Sequence, residues 1–280
     1  MKNYNTLILS GGGVKGFGIL GTLQCLDHHD KIKNIKKIVG TSVGSVIGYL
    51  LILGFQPTDI IIQCIQQNYF KRLKKINLVS GIKGQGFLEF DIFEIIIKDF
   101  TFKKLKNLPT FQELYEYNPI DFKMITFNYT KNQEEILSKD TTPDLLILDA
   151  IRMSSNIPFI FSHFQNNNCY YFDGFITSNF GLHLIDIEKD RTLGICCMRN
   201  RWKEDKELKT WKILWNLFIL PFFKIQELCN KPFLNDVDII NLSFDEISFI
   251  DFHISSKQML DMYSIGYCQT KTFLLQENKN

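Results

Sequence analysis

The sequence predicts an α/β protein, a mostly parallel central sheet with helices on both faces. Three observations carry that expectation. Two short apolar runs, "NTLILS" (Asn5 to Ser10) and "IKKIVG" (Ile35 to Gly40), end at or run into glycine, as buried strands do. Between them "GFGILGTLQCLDHH" (Gly16 to His29) places Leu20, Leu23 and Leu26 near helical spacing. After the second run comes "VGSVIGYLLILGF", an apolar helix with Gly54 as its C-cap and Pro57 beyond. Strand, loop, helix, strand is a βαβ unit, with parallel strands and a right-handed crossover. Both strands then end on one edge of the sheet, where open α/β sheets bind ligands.

The later elements follow in order. "PIDFKMITFNYT" (Pro119 to Thr130) alternates as a strand does. In "TPDLLILDAIRMSSN", Thr142 reads as an N-cap and Pro143 as the first helical residue. "CYYFDG" and "RTLGICCM" supply further strands, and "SSKQMLDMYSIGYCQTKTFLLQE" a closing helix with an interruption expected near Gly266. The absence of a repeat or a Pro/Gly/Ser-rich linker favours one domain over residues 1–280, with the motifs in about 5–186 and further strands and helices over 187–280.

Composition narrows the function. The 280 residues carry a formal net charge of +2, which gives no reason to expect nucleic acid as a partner. Hydrophobic residues at 45% and charged residues at 22% fit a soluble globular chain. The seven cysteines show neither CxxC spacing nor a paired histidine, so a zinc site or disulfide framework is not expected. A reducing compartment fits best: the cytoplasm, or the surface of intracellular membranes. No signal-peptide core and no apolar stretch of about 20 residues is present, so lipid would be met from the surface. The lysine clusters at Lys71 to Lys75 and Lys103 to Lys106 read as solvated faces or as contacts to anionic head groups.

Two motifs fall on the shared strand edge. "GTSVG" (Gly40 to Gly44) fits G-x-S-x-G, a turn that strains the backbone at Ser42 and lets neighbouring chains approach its glycines. A hydroxyl is a poor nucleophile without a base and a site for the oxyanion. The N–H of Val43, opening a helix, is one candidate donor. "GGGVKG" (Gly11 to Gly16) presents backbone N–H groups at Gly12 and Gly13 in an anion-binding arrangement. The same glycines match G-x-G-x-x-G, but "IKKIVGTS" lacks the carboxylate that dinucleotide binding expects at the second strand, so that reading loses. Two sources of a base stay open on the residues alone. His183 or His253 would complete a Ser, acid, His order, although Ser42 comes early for that fold. Asp173, ending the apolar strand "YYFD", serves if Phe172 and Phe175 raise its pKa.

Taken in order, "GGGVKG", "GTSVG", "AIRMSSNIPFIF" (Ala150 to Phe161) and "FDGFITSNFG" resemble the patatin-like phospholipases, whose pattern is a G-G-G-x-[RK]-G loop, a G-x-S-x-G elbow and a later D-G-[GA] motif. The likeness covers most of residues 5–186. It implies the three-layer patatin fold and a lipid acyl hydrolase of phospholipase A or lysophospholipase type, working through a Ser–Asp dyad and an acyl-serine without metal or cofactor. Ser42 would be the nucleophile and Asp173 the base. Gly11, Gly12, Gly13, Lys15, Gly16 and Val43 would form the oxyanion region, and Gly40 and Gly44 the elbow. The Asp-Gly motif is Asp173, Gly174 and Phe175, and here the chain departs from the family, which prefers Gly or Ala at the third position. A ring there would narrow the acyl channel or displace Asp173, so an inactive lipid-binding relative is one alternative and a histidine-using serine esterase another. The expected partner is a phospholipid or other acyl ester at a membrane surface. Trp211, Trp215, Phe218 and Phe222 recur as one helical stripe until Pro221 disturbs it, and read either as core or as an interfacial patch.

Overall fold

The computed structural model describes residues 3–72, 88–197, 210–244 and 252–277. The chain opens with β1 (Thr6–Leu9), α1 (Gly16–His28), β2 (Lys37–Thr41) and α2 (Val43–Ile52). β1 and β2 pair in parallel, as the βαβ reading requires. Gly54 takes φ +82 just past α2, and Pro57 stands at the start of α3 (Pro57–Gln66), where its missing N–H is not needed. Then come α4 (Asp91–Thr101), α5 (Phe111–Tyr117), β3 (Asp121–Asn128), β4 (Gln133–Leu137) and α6 (Ile147–Ser154). Thr110 and Glu113 cap α5 reciprocally, each bonding the other's backbone N–H. The remaining elements are β5 (Phe164–Asn166), β6 (Cys169–Asp173), β7 (Thr192–Cys196), α7 (Thr210–Asn230), β8 (Asp238–Asn241) and α8 (Ser256–Glu277).

The strands form one sheet in the order β5-β6-β3-β2-β1-β7-β8, with β4 also paired to β3. The run from β3 through β2, β1 and β7 to β8 is parallel, whereas β4, β6 and β5 are antiparallel additions. Alternate residues of the central strands enter different cores. Leu7, Leu9 and Ile38 join the large core under α1 to α6 and α8, and Ile8, Val39 and Ile125 join a smaller one. That second face is covered more thinly, by Phe180 and Leu182 from the turns after β6 and by Phe233 and Val237 beyond α7.

Three expectations change. The helix read from Thr142 begins instead at Ile147. The carbonyls of Pro143 and Leu145 are taken by the N–H groups of Gln112 and Phe111, and Ile147 N–H bonds the Pro109 carbonyl, so tertiary pairing holds this stretch as a turn outside the helix. α8 runs through Gly266 unbroken, because α1 crosses it there: a Cβ on Gly266 would lie 2.1 Å from the Gly18 carbonyl oxygen. α7 likewise continues through Pro221. Among the described residues no single helix is long and apolar enough to cross a membrane.

Candidate active site

β2 ends at Thr41 and α2 starts at Val43, so Ser42 alone makes the turn. It does so at φ +55, a conformation an L residue adopts only when its surroundings compel it. The compulsion comes from close packing on either side. A Cβ on Gly44 would meet the Leu9 carbonyl oxygen at 2.2 Å, and one on Gly40 would meet Ser45 backbone at 2.7 Å. Gly44→Ala therefore has to push α2 off β1, and a loss of roughly 2 kcal/mol or more is expected in chemical denaturation. An unchanged midpoint would count against the contact.

The glycine loop sits against this elbow, as the parallel pairing predicts. A Cβ on Gly11 would stand 3.1 Å from Ser42 Cβ and 2.3 Å from Asn179 Oδ1, and one on Gly16 would lie 2.5 Å from Val43. The N–H groups of Gly12, Gly13 and Val43 have no acceptor among the described residues. The other three positions read as donors differ, because their N–H groups are already used. Gly11 bonds the Asn179 carbonyl, Lys15 bonds Gly12, and Gly16 bonds back to Gly13 and Val14. The Lys15 side chain is wholly buried beside Cys197, and burial lowers its pKa.

Asp173 closes β6 and is 1% exposed. Its Oδ1 accepts the Phe175 N–H at 2.9 Å, and its carboxylate lies within hydrogen-bonding reach of the Ser42 hydroxyl. Burial pushes its pKa up to about 7, against the smaller downward pull of those two donors. Gly174 stands where a Cβ would meet the Ile125 carbonyl at 2.4 Å, which keeps the turn after Asp173 close on β3.

Phe175 turns away from this pair. It does not line the cavity that opens on Ser42; its ring packs on Phe222 of α7 at 5.4 Å, and its carbonyl accepts from Gln226 at 2.8 Å. The departure from the family pattern thus docks a helix and leaves Asp173 facing Ser42. Phe218 packs edge-to-face with Phe222 and Phe159, so Phe218 and Phe222 of the aromatic stripe are half-buried contacts. The side chains of Trp211 and Trp215, and those of Lys71 to Lys75, lie outside the described residues.

The cavity beside Ser42 has a volume of about 110 Å³ and apolar walls, with the rings of Phe17, Phe70, Phe90, Phe93, Phe161 and Phe252 prominent. Arg152 braces that wall: its guanidinium lies 4.2 Å from the Phe90 ring and 5.8 Å from the Phe161 ring, and donates to the Ser162 carbonyl at 2.8 Å. Among the described residues no histidine lines the cavity. His183 is paired with Glu134 at 2.8 Å, and His28 with Gln24 and Tyr267.

The sequence marked the segment that ties these parts together only by its family resemblance, without a role for its residues. Ser154 Oγ accepts the Ser42 N–H at 3.1 Å, contacts Ser45 Oγ at 2.9 Å and donates to the Ile125 carbonyl at 2.7 Å. The carbonyl of Asn156 accepts the Asp173 N–H at 3.0 Å. Their signal was the polar run "SSN" inside "AIRMSSNIPFIF", which is apolar but for Arg152.

Sheet, turn and glycine loop define the class: an α/β protein with a strained serine turn from strand to helix and a glycine loop at the strand ends. A family model described as patatin-like phospholipase matches residues 7–186, and the chain belongs to that family. It is 34% identical over 186 residues to a probable lipid hydrolase of Invertebrate iridescent virus 6, a match covering 65% of this chain and 63% of that protein. It is also 29% identical over 291 residues to an uncharacterized protein of Acanthamoeba polyphaga mimivirus, covering 96% and 93%. Among solved structures, VipD from Legionella pneumophila is similar in fold, with a TM-score of 0.58 at 19% identity over 98% of this chain and 67% of that one.

Proposed function

We propose that this protein is a lipid acyl hydrolase, a phospholipase A or lysophospholipase, with Ser42 as nucleophile and Asp173 as base. The observation that carries the reading is the juxtaposition of a strained serine, which lines an apolar cavity, with a buried carboxyl whose pKa is about 7. Such a carboxyl is partly ionised near neutral pH and serves in turn as base and acid.

This geometry supports the following steps. Asp173 takes the proton of Ser42 as Oγ bonds to the ester carbonyl carbon, and the carbonyl π pair moves onto oxygen. That oxyanion meets the N–H groups of Gly12, Gly13 and Val43, which have no acceptor among the described residues, at the positive end of α2. Collapse breaks the bond from carbon to the alkoxy oxygen, Asp173 returns the proton to the leaving alcohol, and an acyl-serine remains. Water then attacks the acyl carbon while Asp173 takes its proton. Breaking the bond to Ser42 Oγ, which regains that proton, releases the fatty acid. The acyl chain has a place to go: a cavity of about 150 Å³ admits benzene, so 110 Å³ accommodates the first few carbons.

Mixed phospholipid vesicles with product analysis by mass spectrometry test the reading. Free fatty acid with matching lysophospholipid is expected. Vesicles that bind protein but yield no product would instead make the chain a lipid-binding relative of enzymes.

Delivery to a lipid surface fits α7. Leu217, Lys224 and Leu228 share one helical face, and Leu217 and Leu228 are 60% and 70% exposed. Leu217→Ser combined with Leu228→Ser should weaken binding to phosphatidylcholine/phosphatidylglycerol vesicles on the order of 10-fold to 100-fold. Hydrolysis of a soluble short-chain ester should stay near wild type. Equal loss of both would mean that the pair supports the fold instead.

A further inference from the structure

We propose that the Ser155 hydroxyl holds the water that hydrolyses the acyl-serine. The proposal rests on the Ser42–Asp173 reading and adds a residue to its second half. Ser155 lies between two residues that each grip one member of the pair: Ser154 bonds the Ser42 N–H at 3.1 Å, and the Asn156 carbonyl bonds the Asp173 N–H at 3.0 Å. The residue between those anchors is therefore held beside both groups. Its side chain lines the same cavity as Ser42.

The two neighbouring serines are used differently. Ser154 Oγ is occupied by Ser42, Ser45 and Ile125 and has a structural task. Ser155 Oγ is buried, the residue being 7% exposed, yet has no hydrogen-bond partner among the described residues. Its backbone is satisfied, the N–H by Ile151 and the carbonyl by Ile157, so packing of the main chain does not call for a hydroxyl here. A buried hydroxyl without a partner is unfavourable unless a ligand supplies one. In a cavity walled mainly by apolar side chains, a polar ligand needs such a group close to the reacting atoms.

Water suits the position by its hydrogen count. It has two protons to place: one goes to the Asp173 carboxylate as the oxygen attacks, and Ser155 Oγ accepts the other. A lone pair is then left facing the acyl carbon. The acylation step, in which Ser42 itself is the nucleophile, has no such second proton. An alcohol acceptor such as methanol has one hydroxyl proton, which Asp173 takes, so it has little use for Ser155.

The experiment compares wild type, Ser155→Ala and Ser155→Thr on p-nitrophenyl butyrate, reading the burst, the steady state and the intact mass, without and with methanol. In Ser155→Ala the burst should be near wild type, which also reports a folded site. Turnover should fall roughly 10-fold to 100-fold, with KM falling in parallel and butyryl-enzyme accumulating. The product ratio of methyl butyrate to butyrate should rise by a similar factor, a change that a merely structural role would not produce. Ser155→Thr, which keeps the hydroxyl, should recover much of the hydrolysis. An unchanged ratio without accumulation in Ser155→Ala overturns the proposal, as does a slowed burst with normal deacylation, which would place the hydroxyl on the ester. Wild type that turns over without any acyl-serine, or not at all, overturns the reading beneath it as well.

Discussion

Ser42→Ala is expected to lower ester hydrolysis by roughly 10⁴-fold or more and to abolish labelling by a fluorophosphonate probe. The fold should be little affected, and circular dichroism with a thermal melt would check it. The Ser42 side chain is not what holds the elbow. The turn is maintained by the backbone of Ser42, whose N–H is bonded to Ser154 and whose carbonyl accepts from Ser45 and Val46 at the start of α2. Alanine keeps all of these bonds and removes the oxygen alone. It would still have to occupy φ +55, as serine does, so the strain is common to both proteins. Residual activity close to wild type would require another nucleophile. The neighbouring hydroxyls make the result informative, because Ser45 and Ser154 are bonded to each other and Ser155 is buried in the cavity wall. Labelling that persists in Ser42→Ala and disappears in Ser155→Ala would transfer the nucleophile to Ser155.

Much of the central layout was legible because it depends on local patterns. Short apolar runs ending at glycine gave β1 and β2, and parallel pairing then placed Gly11 and Ser42 on one edge, where they now stand with little room between them. The position of Asp173 opposite Ser42 is a long-range fact, since β6 reaches the site by antiparallel pairing with β3, and no spacing along the chain states that register. Its motif supplied the connection. What stayed hidden depended on tertiary competition for backbone groups. Thr142 and Pro143 have the chemistry of a helix start, yet the chain at residues 109–112 takes the carbonyls that follow. Fewer N–H groups of the glycine loop stay open than the motif suggests for the same reason, since the fold itself consumes those of Gly11, Lys15 and Gly16. Phe175 shows the converse: the ring that looked like an obstruction beside the base has a docking partner in Phe222, which no local pattern announces.

Asp173→Asn should be nearly inactive and, at alkaline pH, more heat-stable than wild type. As a base Asp173 works only when ionised, and its pKa is about 7. In wild type kcat/KM should therefore climb about tenfold per pH unit below neutrality and level off above about 7. Asparagine can still accept the Phe175 N–H but cannot take a proton, so a loss of roughly 10³-fold to 10⁴-fold is expected, along with loss of that pH limb. The stability effect follows from the same burial. Unfolded, the carboxyl ionises near 3.8; folded, it does so near 7. Between those values the folded state retains a proton that the unfolded state has released, so this group's contribution to stability falls as pH rises and is fully lost above about 7. Asparagine carries no charge to bury. The melting temperature of Asp173→Asn relative to wild type should therefore be lowest near pH 4, increase through pH 5 to 7, and then plateau. A flat difference across that range would mean that the carboxyl ionises normally in the fold, and the assignment of Asp173 as base would lose its physical support. A base elsewhere would appear as an Asp173→Asn enzyme that retains turnover and the same pH limb.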